Sequence, residues 1–153
     1  MGSTPDTPRP HRPPLPPAPA TPRATQIYFV DDDELMAVLT RIMLEKFGYR
    51  VTLFADATDA LRSFRRDPDY PAAIVSDYAL PAMTGADLAR EVFALRPDKP
   101  FLLLSGDLDA PGLRDGRIRH VLAKPFAMES LRAALDALLH PREPEPTAAP
   151  PTA

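Results

Sequence analysis

The 153-residue chain contains no cysteine. Disulfides and thiolate metal sites are therefore excluded, which suits a reducing cytoplasm. It also has no basic excess: 18 Lys and Arg stand against 21 Asp and Glu, and residues 26–140 hold 14 against 18. A nucleic-acid surface needs a basic face, so that class of partner is set aside. No apolar run approaches the length of a membrane span, and the N-terminal stretch lacks the apolar core of a secretory signal. The expectation is a soluble, cytoplasmic protein with neither a membrane nor a nucleic-acid partner.

Proline is scarce only where a fold has to form. Of the 21 prolines, nine fall in residues 1–25 and five in residues 141–153, leaving seven for residues 26–140. Proline denies the backbone both helix and ladder hydrogen bonds, and residues 1–25 offer almost nothing to bury. Two disordered Pro-rich tails, 1–25 and 141–153, are expected around one folded domain at 26–140. The PxxP spacing from Pro13 to Pro16 is read as the chance product of a proline-rich, solvated tail.

Within 26–140 short apolar runs alternate with helical periodicity. QIYFV ends in Asp31, Asp32 and Asp33, and is followed by Leu35, Val38, Leu39, Ile42 and Met43 at helical spacing, with Gly48 closing the helix. RVTLF precedes a helix with Asp56 as N-cap and an apolar face of Ala57, Ala60, Leu61 and Phe64. AAIVS delivers Asp77, after which Thr84 and Asp87 form a capping box for a helix burying Leu88, Val92 and Leu95. FLLLS is too apolar for a half-exposed strand and belongs inside a sheet. Gly106, Pro111, Gly112 and Gly116 break the next segment, so the fourth helix is expected to be short or irregular. HVLAK is the last strand, and Leu131, Leu135, Leu138 and Leu139 mark a final helix with Ala127 as a poor N-cap.

This alternation predicts an α/β fold, a doubly wound five-stranded parallel sheet with helices on both faces. Ligands in such sheets bind beyond the carboxyl ends of the strands. Asp31, Asp32, Asp77, Ser105 and Lys124 all fall at such ends. Crowded carboxylates repel one another unless a cation compensates them, and Mg²⁺ favours carboxylate, carbonyl and water oxygens. Asp77 is also a candidate nucleophile for an acyl phosphate, with Lys124 and Ser105 available to neutralise phosphoryl oxygens. Asp33 is read as a helix N-cap, and His120 and His140 as structural or surface residues.

The acidic pair in FVDDDE, the Asp of SDYALPAMTG, the Ser ending FLLLSG and the Lys-Pro of LAKPF occur in order at strand ends. With them the sequence resembles the receiver domains of two-component response regulators, of the single-domain or hybrid-kinase type, over residues 26 to about 140. The resemblance implies a flavodoxin-like fold with Asp77 as phosphoacceptor. It implies Mg²⁺, or Mn²⁺ in its place, held by Asp31, Asp32, Asp77 and the carbonyl of Ala79, and Ser105 and Lys124 as phosphoryl contacts. A cis peptide bond between Lys124 and Pro125 is implied as well. The phosphoryl donor is then a histidine kinase or a histidine phosphotransferase, and the signal passes by conformational change to a partner protein.

Val121 departs from the family pattern, since receivers often carry an aromatic residue there that rotates on phosphorylation. Movement or ordering of residues 106–119 is the expected substitute. Ala79 offers an attacking water no side-chain hydrogen bond, whereas Asp107 can. The 13 residues after 140 are too few for an output domain, so a single-domain regulator, a relay intermediate or a receiver cut from a hybrid kinase is expected, not an enzyme acting on other substrates. Two other classes are weighed. A haloacid-dehalogenase-like phosphohydrolase would use Asp31 as nucleophile, but it lacks the downstream acidic pair and leaves Asp77 without a role. A receiver-like interaction module that is never phosphorylated would have no need of Asp32, Asp77, Ser105 and Lys124 together.

Overall fold

A computed structural model describes Gly2 and residues 24–141. Nearly all of the two Pro-rich tails therefore lies outside the described residues. Five strands, β1 (Gln26–Val30), β2 (Arg50–Phe54), β3 (Ala73–Asp77), β4 (Phe101–Ser105) and β5 (Val121–Ala123), are interleaved with four helices, except that β5 follows β4 with no helix between them. The helices are α1 (Glu34–Lys46), α2 (Ala57–Arg66), α3 (Gly85–Leu95) and α4 (Met128–Leu139). All strand pairs are parallel, in the order β2-β1-β3-β4-β5. No described helix is long and apolar enough to cross a membrane.

Period-two alternation divides the strand side chains between two cores. Tyr28, Val30, Ile74, Phe101 and Leu103 face α2 and α3, while Ile27, Phe29, Val75, Leu102 and Leu104 face α1 and α4. Every residue of β3 and β4 is buried, as the continuous apolar run FLLLS required. Residues 106–120 form only turns and bends, so the face of β4 and β5 beside α3 is covered by Ala110, Leu113 and Ile118 of that segment.

The helix ends follow the local chemistry. Asp33 caps α1 by accepting from the Met36 amide at 3.1 Å, and Asp56 caps α2 from Thr58 at 2.6 Å. Gly48 follows α1 with φ +96°, a conformation that a Cβ would oppose. Ala127 precedes α4 without a side-chain cap bond. Thr84 and Asp87 form the reciprocal capping box of α3, each amide held by the other side chain at 3.1 Å. The Thr84 amide, and beside it the Arg90 guanidinium, holds the Asp87 carboxyl below the usual value. A depressed carboxylate contributes stability that is present above its unfolded value and lost as pH falls through the folded one. Asp87→Ala is therefore expected to cost about 1 kcal/mol at neutral pH. In urea melts, that gap from wild type should narrow below pH 4.

The apolar side chains of α1 divide between core and surface, and in α3 one of them differs from the expectation. In α1 the buried residues are Ala37, Thr40 and Leu44, whereas Leu35, Leu39 and Ile42 are 69, 48 and 43 % exposed. Small Ala37 and Thr40 let the helix lie close on the sheet, and the larger side chains are left on the outer side. In α3 Leu88, Ala89, Val92 and Phe93 are buried, but Leu95 at the last turn is exposed.

Candidate functional site

Strand order reverses between β1 and β3, and the loops leaving the two strands open a crevice at the carboxyl edge of the sheet. Asp31 lies directly after β1, its amide donating to the Phe54 carbonyl at 3.0 Å. Its Oδ1 accepts from the Asp33 amide at 2.9 Å, which turns the acidic loop back on itself. Asp77 ends β3 and is 8 % exposed. Carboxylate oxygens of Asp31, Asp32 and Asp77 lie within 4.8 Å of one another, with Asp31 and Asp77 buried and Asp32 exposed.

Lys124 follows β5 and places Nζ 2.8 Å from Asp77 Oδ1. Its amide donates to the Ser105 carbonyl at 2.8 Å, which locks the end of β5 to the end of β4. The Lys124–Pro125 bond is cis, as the resemblance implied. One ammonium thus faces three carboxylates. Burial pushes the Asp31 carboxyl up, and the neighbouring Asp77 charge adds to the effect. This charge stress is what a hard divalent ion relieves, and the all-oxygen donor set fits Mg²⁺.

Ser105 is buried at the end of β4. Its Oγ donates to the Asp107 carbonyl at 2.7 Å and accepts from the Asp107 amide at 3.1 Å. Ala79 lies in the exposed bend two residues beyond Asp77. The structure therefore gathers Asp31, Asp32, Asp77 and Lys124, with Ser105 at the end of β4 and Ala79 in the loop after β3. Asp33 turns away to cap α1.

Two residues were not singled out from the sequence. A Cβ on Gly85 would come within 2.3 Å of the Asp77 carbonyl oxygen and 2.6 Å of Leu103 Cδ1, so α3 begins in direct contact with the backbone of the acidic residue. Tyr78 donates its hydroxyl to the Pro111 carbonyl at 2.7 Å, across 33 residues of chain. No local pattern announces such a contact.

An acidic crevice facing one lysine thus lies at the carboxyl edge of a flavodoxin-like parallel sheet. The family model described as "Response regulator receiver domain" matches residues 27–136. The chain belongs to that family. It is 35 % identical over 112 residues to the C4-dicarboxylate transport transcriptional regulatory protein DctD of Rhizobium meliloti, covering 71 % of this chain and 24 % of that one. Against the response regulator MprA of Mycobacterium leprae it is 34 % identical over 127 residues, covering 80 % of this chain and 54 % of the relative. The chain thus spans between a quarter and about half of the length of these relatives. Among solved structures, the receiver domain of the sensor histidine kinase PA1611 from Pseudomonas aeruginosa PAO1 is 30 % identical, with a TM-score of 0.68 over 76 % of this chain and 98 % of that one. That neighbour has a magnesium ion coordinated in its active-site cleft.

Proposed function

We propose that this protein accepts a phosphoryl group on Asp77 from the phosphohistidine of a histidine kinase or phosphotransferase, and signals by a change of shape to a partner protein. The observation that carries the reading is the Lys124 Nζ at 2.8 Å from Asp77, with the Asp31 and Asp32 carboxylates beside it. An Asp77 carboxylate oxygen attacks phosphorus and the P–N bond breaks, and a phosphohistidine protonated at its other ring nitrogen leaves as neutral imidazole. Lys124 holds the nucleophile in place and stays within reach of a phosphoryl oxygen. Ser105 can meet a second oxygen once its hydroxyl leaves the Asp107 carbonyl. Asp31, Asp32, Asp77 and the Ala79 carbonyl would hold Mg²⁺, or Mn²⁺ in its place, which supplies charge neutralisation for the incoming group.

The pocket promotes its own phosphorylation and dephosphorylation only. Asp107, two residues beyond Ser105, offers a carboxylate that can orient a hydrolytic water, which Ala79 cannot. A phosphohydrolase using Asp31 as nucleophile is disfavoured, because Asp31 is the more hemmed-in carboxylate, bound to the Asp33 amide, while Asp77 has the lysine. The test is intact mass after incubation with acetyl phosphate and Mg²⁺. Gain of one phosphoryl group is expected, and a chain that never gains one would be an interaction module instead.

The exposed side of α1 supplies a docking surface for the phosphoryl donor. Leu35, Met36, Leu39 and Ile42 form an uncharged apolar stripe on a helix that starts three residues after Asp31, so a helical partner lying on it brings its histidine to the crevice. Leu39→Glu is expected to slow transfer from a phosphorylated phosphotransferase roughly tenfold or more, as loss of a central apolar anchor does. Uptake from acetyl phosphate, which needs no protein docking, should stay at the wild-type rate.

A further inference from the structure

The loop carrying Asp77 is tied to the irregular segment after β4 by one side chain. Tyr78 has its backbone fixed on both sides, its amide donating to the Leu104 carbonyl and its carbonyl accepting from the Gly85 amide, each at 2.8 Å. Its ring packs against the core beneath α3, and its hydroxyl donates to the Pro111 carbonyl at 2.7 Å. Pro111 is held there from a second direction. Gly112 has φ +87°, and a Cβ on it would sit 3.1 Å from the Ala86 Cβ in the first turn of α3. The turn at 110–113 is therefore lodged between the residue after Asp77 and the start of the next helix.

The same segment is held at its beginning by Ser105, whose hydroxyl is engaged with Asp107 as both donor and acceptor. Asp107 and Pro111 belong to one tight run of turns, since the Ala110 amide donates to the Asp107 carbonyl at 3.3 Å. A Ser105 hydroxyl that turns to a phosphoryl oxygen lets go of that carbonyl. The first hold on the segment is then lost, and the single Tyr78 bond left to carry the segment is too weak to keep it closed. Val121 occupies the place where many receivers have an aromatic side chain, and it is only partly buried against the same core. The aromatic ring that can report on the pocket lies instead beside Asp77 itself.

We propose that the Tyr78 hydroxyl bond to Pro111 is a latch that keeps residues 107–113 closed over α3 in the unphosphorylated protein and opens when Asp77 is phosphorylated. Tyr78 is in this sense a positioning residue for the segment that changes shape. The proposal rests on the reading of Asp77 as phosphoacceptor. A neutral, solvent-accessible hydrogen bond biases such an equilibrium only about fivefold, which suits a contact meant to break.

The test is amide exchange of a peptide covering 106–119 in the full chain, with and without acetyl phosphate and Mg²⁺, alongside intact mass on the same samples. Tyr78→Phe keeps the packed ring and removes only the hydroxyl. Wild-type exchange is expected to quicken about fivefold on phosphorylation. Tyr78→Phe should exchange at the faster rate beforehand and change little afterwards, with phosphoryl stoichiometry equal to wild type. A purely structural role for the ring would leave the phosphorylation-dependent step intact. The latch is overturned if Tyr78→Phe exchanges as slowly as the unphosphorylated wild type, or if it retains the full step. A wild-type chain that gains no phosphoryl group overturns the phosphoacceptor reading itself, and control of the segment by phosphorylation with it.

Discussion

Asp77→Asn is expected to reduce phosphoryl uptake from acetyl phosphate below detection, while leaving the fold intact. The amide is nearly the shape of the carboxylate, so the crevice between β1 and β3 need not rearrange. What disappears is the oxygen nucleophile. An amide has no anionic oxygen to bond to phosphorus, and neighbouring carboxylates cannot replace it. Asp31 is turned toward the Asp33 amide, and Asp32 is exposed. Intact mass separates the outcomes cleanly. A variant that still gained a phosphoryl group would place the nucleophile elsewhere, with Asp31 the first candidate and a phosphohydrolase the class to reconsider. The substitution also removes one of the charges that raise the Asp31 pKa, so that carboxyl should titrate closer to its ordinary value.

Gly85→Ala is expected to have the largest effect on stability of any single methyl addition near the site. The added Cβ would lie 2.3 Å from the Asp77 carbonyl oxygen and 3.0 Å from its carbon. Backbone cannot step aside as a flexible side-chain tip can, so either α3 lifts or the end of β3 shifts. Both routes strain the Gly85 amide bond to the Tyr78 carbonyl. Alanine has the better helix propensity by up to about 1 kcal/mol, but overpacking of this severity costs about 3 kcal/mol. The clash wins. A fall of about 10 °C in the melting temperature is expected, accompanied by slower phosphoryl uptake because Asp77 is displaced. A melt within a degree of wild type would show that α3 accommodates the methyl group and that its contact with the Asp77 backbone is looser than the distances indicate.

Much of the fold was legible because the informative signals were local. Asp33, Asp56 and the Thr84–Asp87 pair cap helices through bonds spanning two or three residues, and such spacing can be read directly. FLLLS could be placed inside the sheet because a strand covered on both faces has no polar side to show. The sheet-facing side of α1 was not legible for the complementary reason. Periodicity shows that large apolar residues share a side of a helix, but not which side meets the sheet, and here Ala37, Thr40 and Leu44 take the inner one. The same limit applied to Leu95, apolar and in phase yet beyond the reach of the core.

By itself the order of residues determined the alternation of strands and helices, the parallel sheet, and the arrival of Asp31, Asp77, Ser105 and Lys124 at strand ends, because each depends on neighbours a few positions away. The tertiary structure alone decided that Lys124 meets Asp77 across 47 residues, that Gly85 must be glycine because a carbonyl occupies the space of its side chain, and that Tyr78 reaches Pro111. Those contacts join segments distant in the chain. Their distances are set by how five strands twist and pack together, and no short stretch of sequence carries that information.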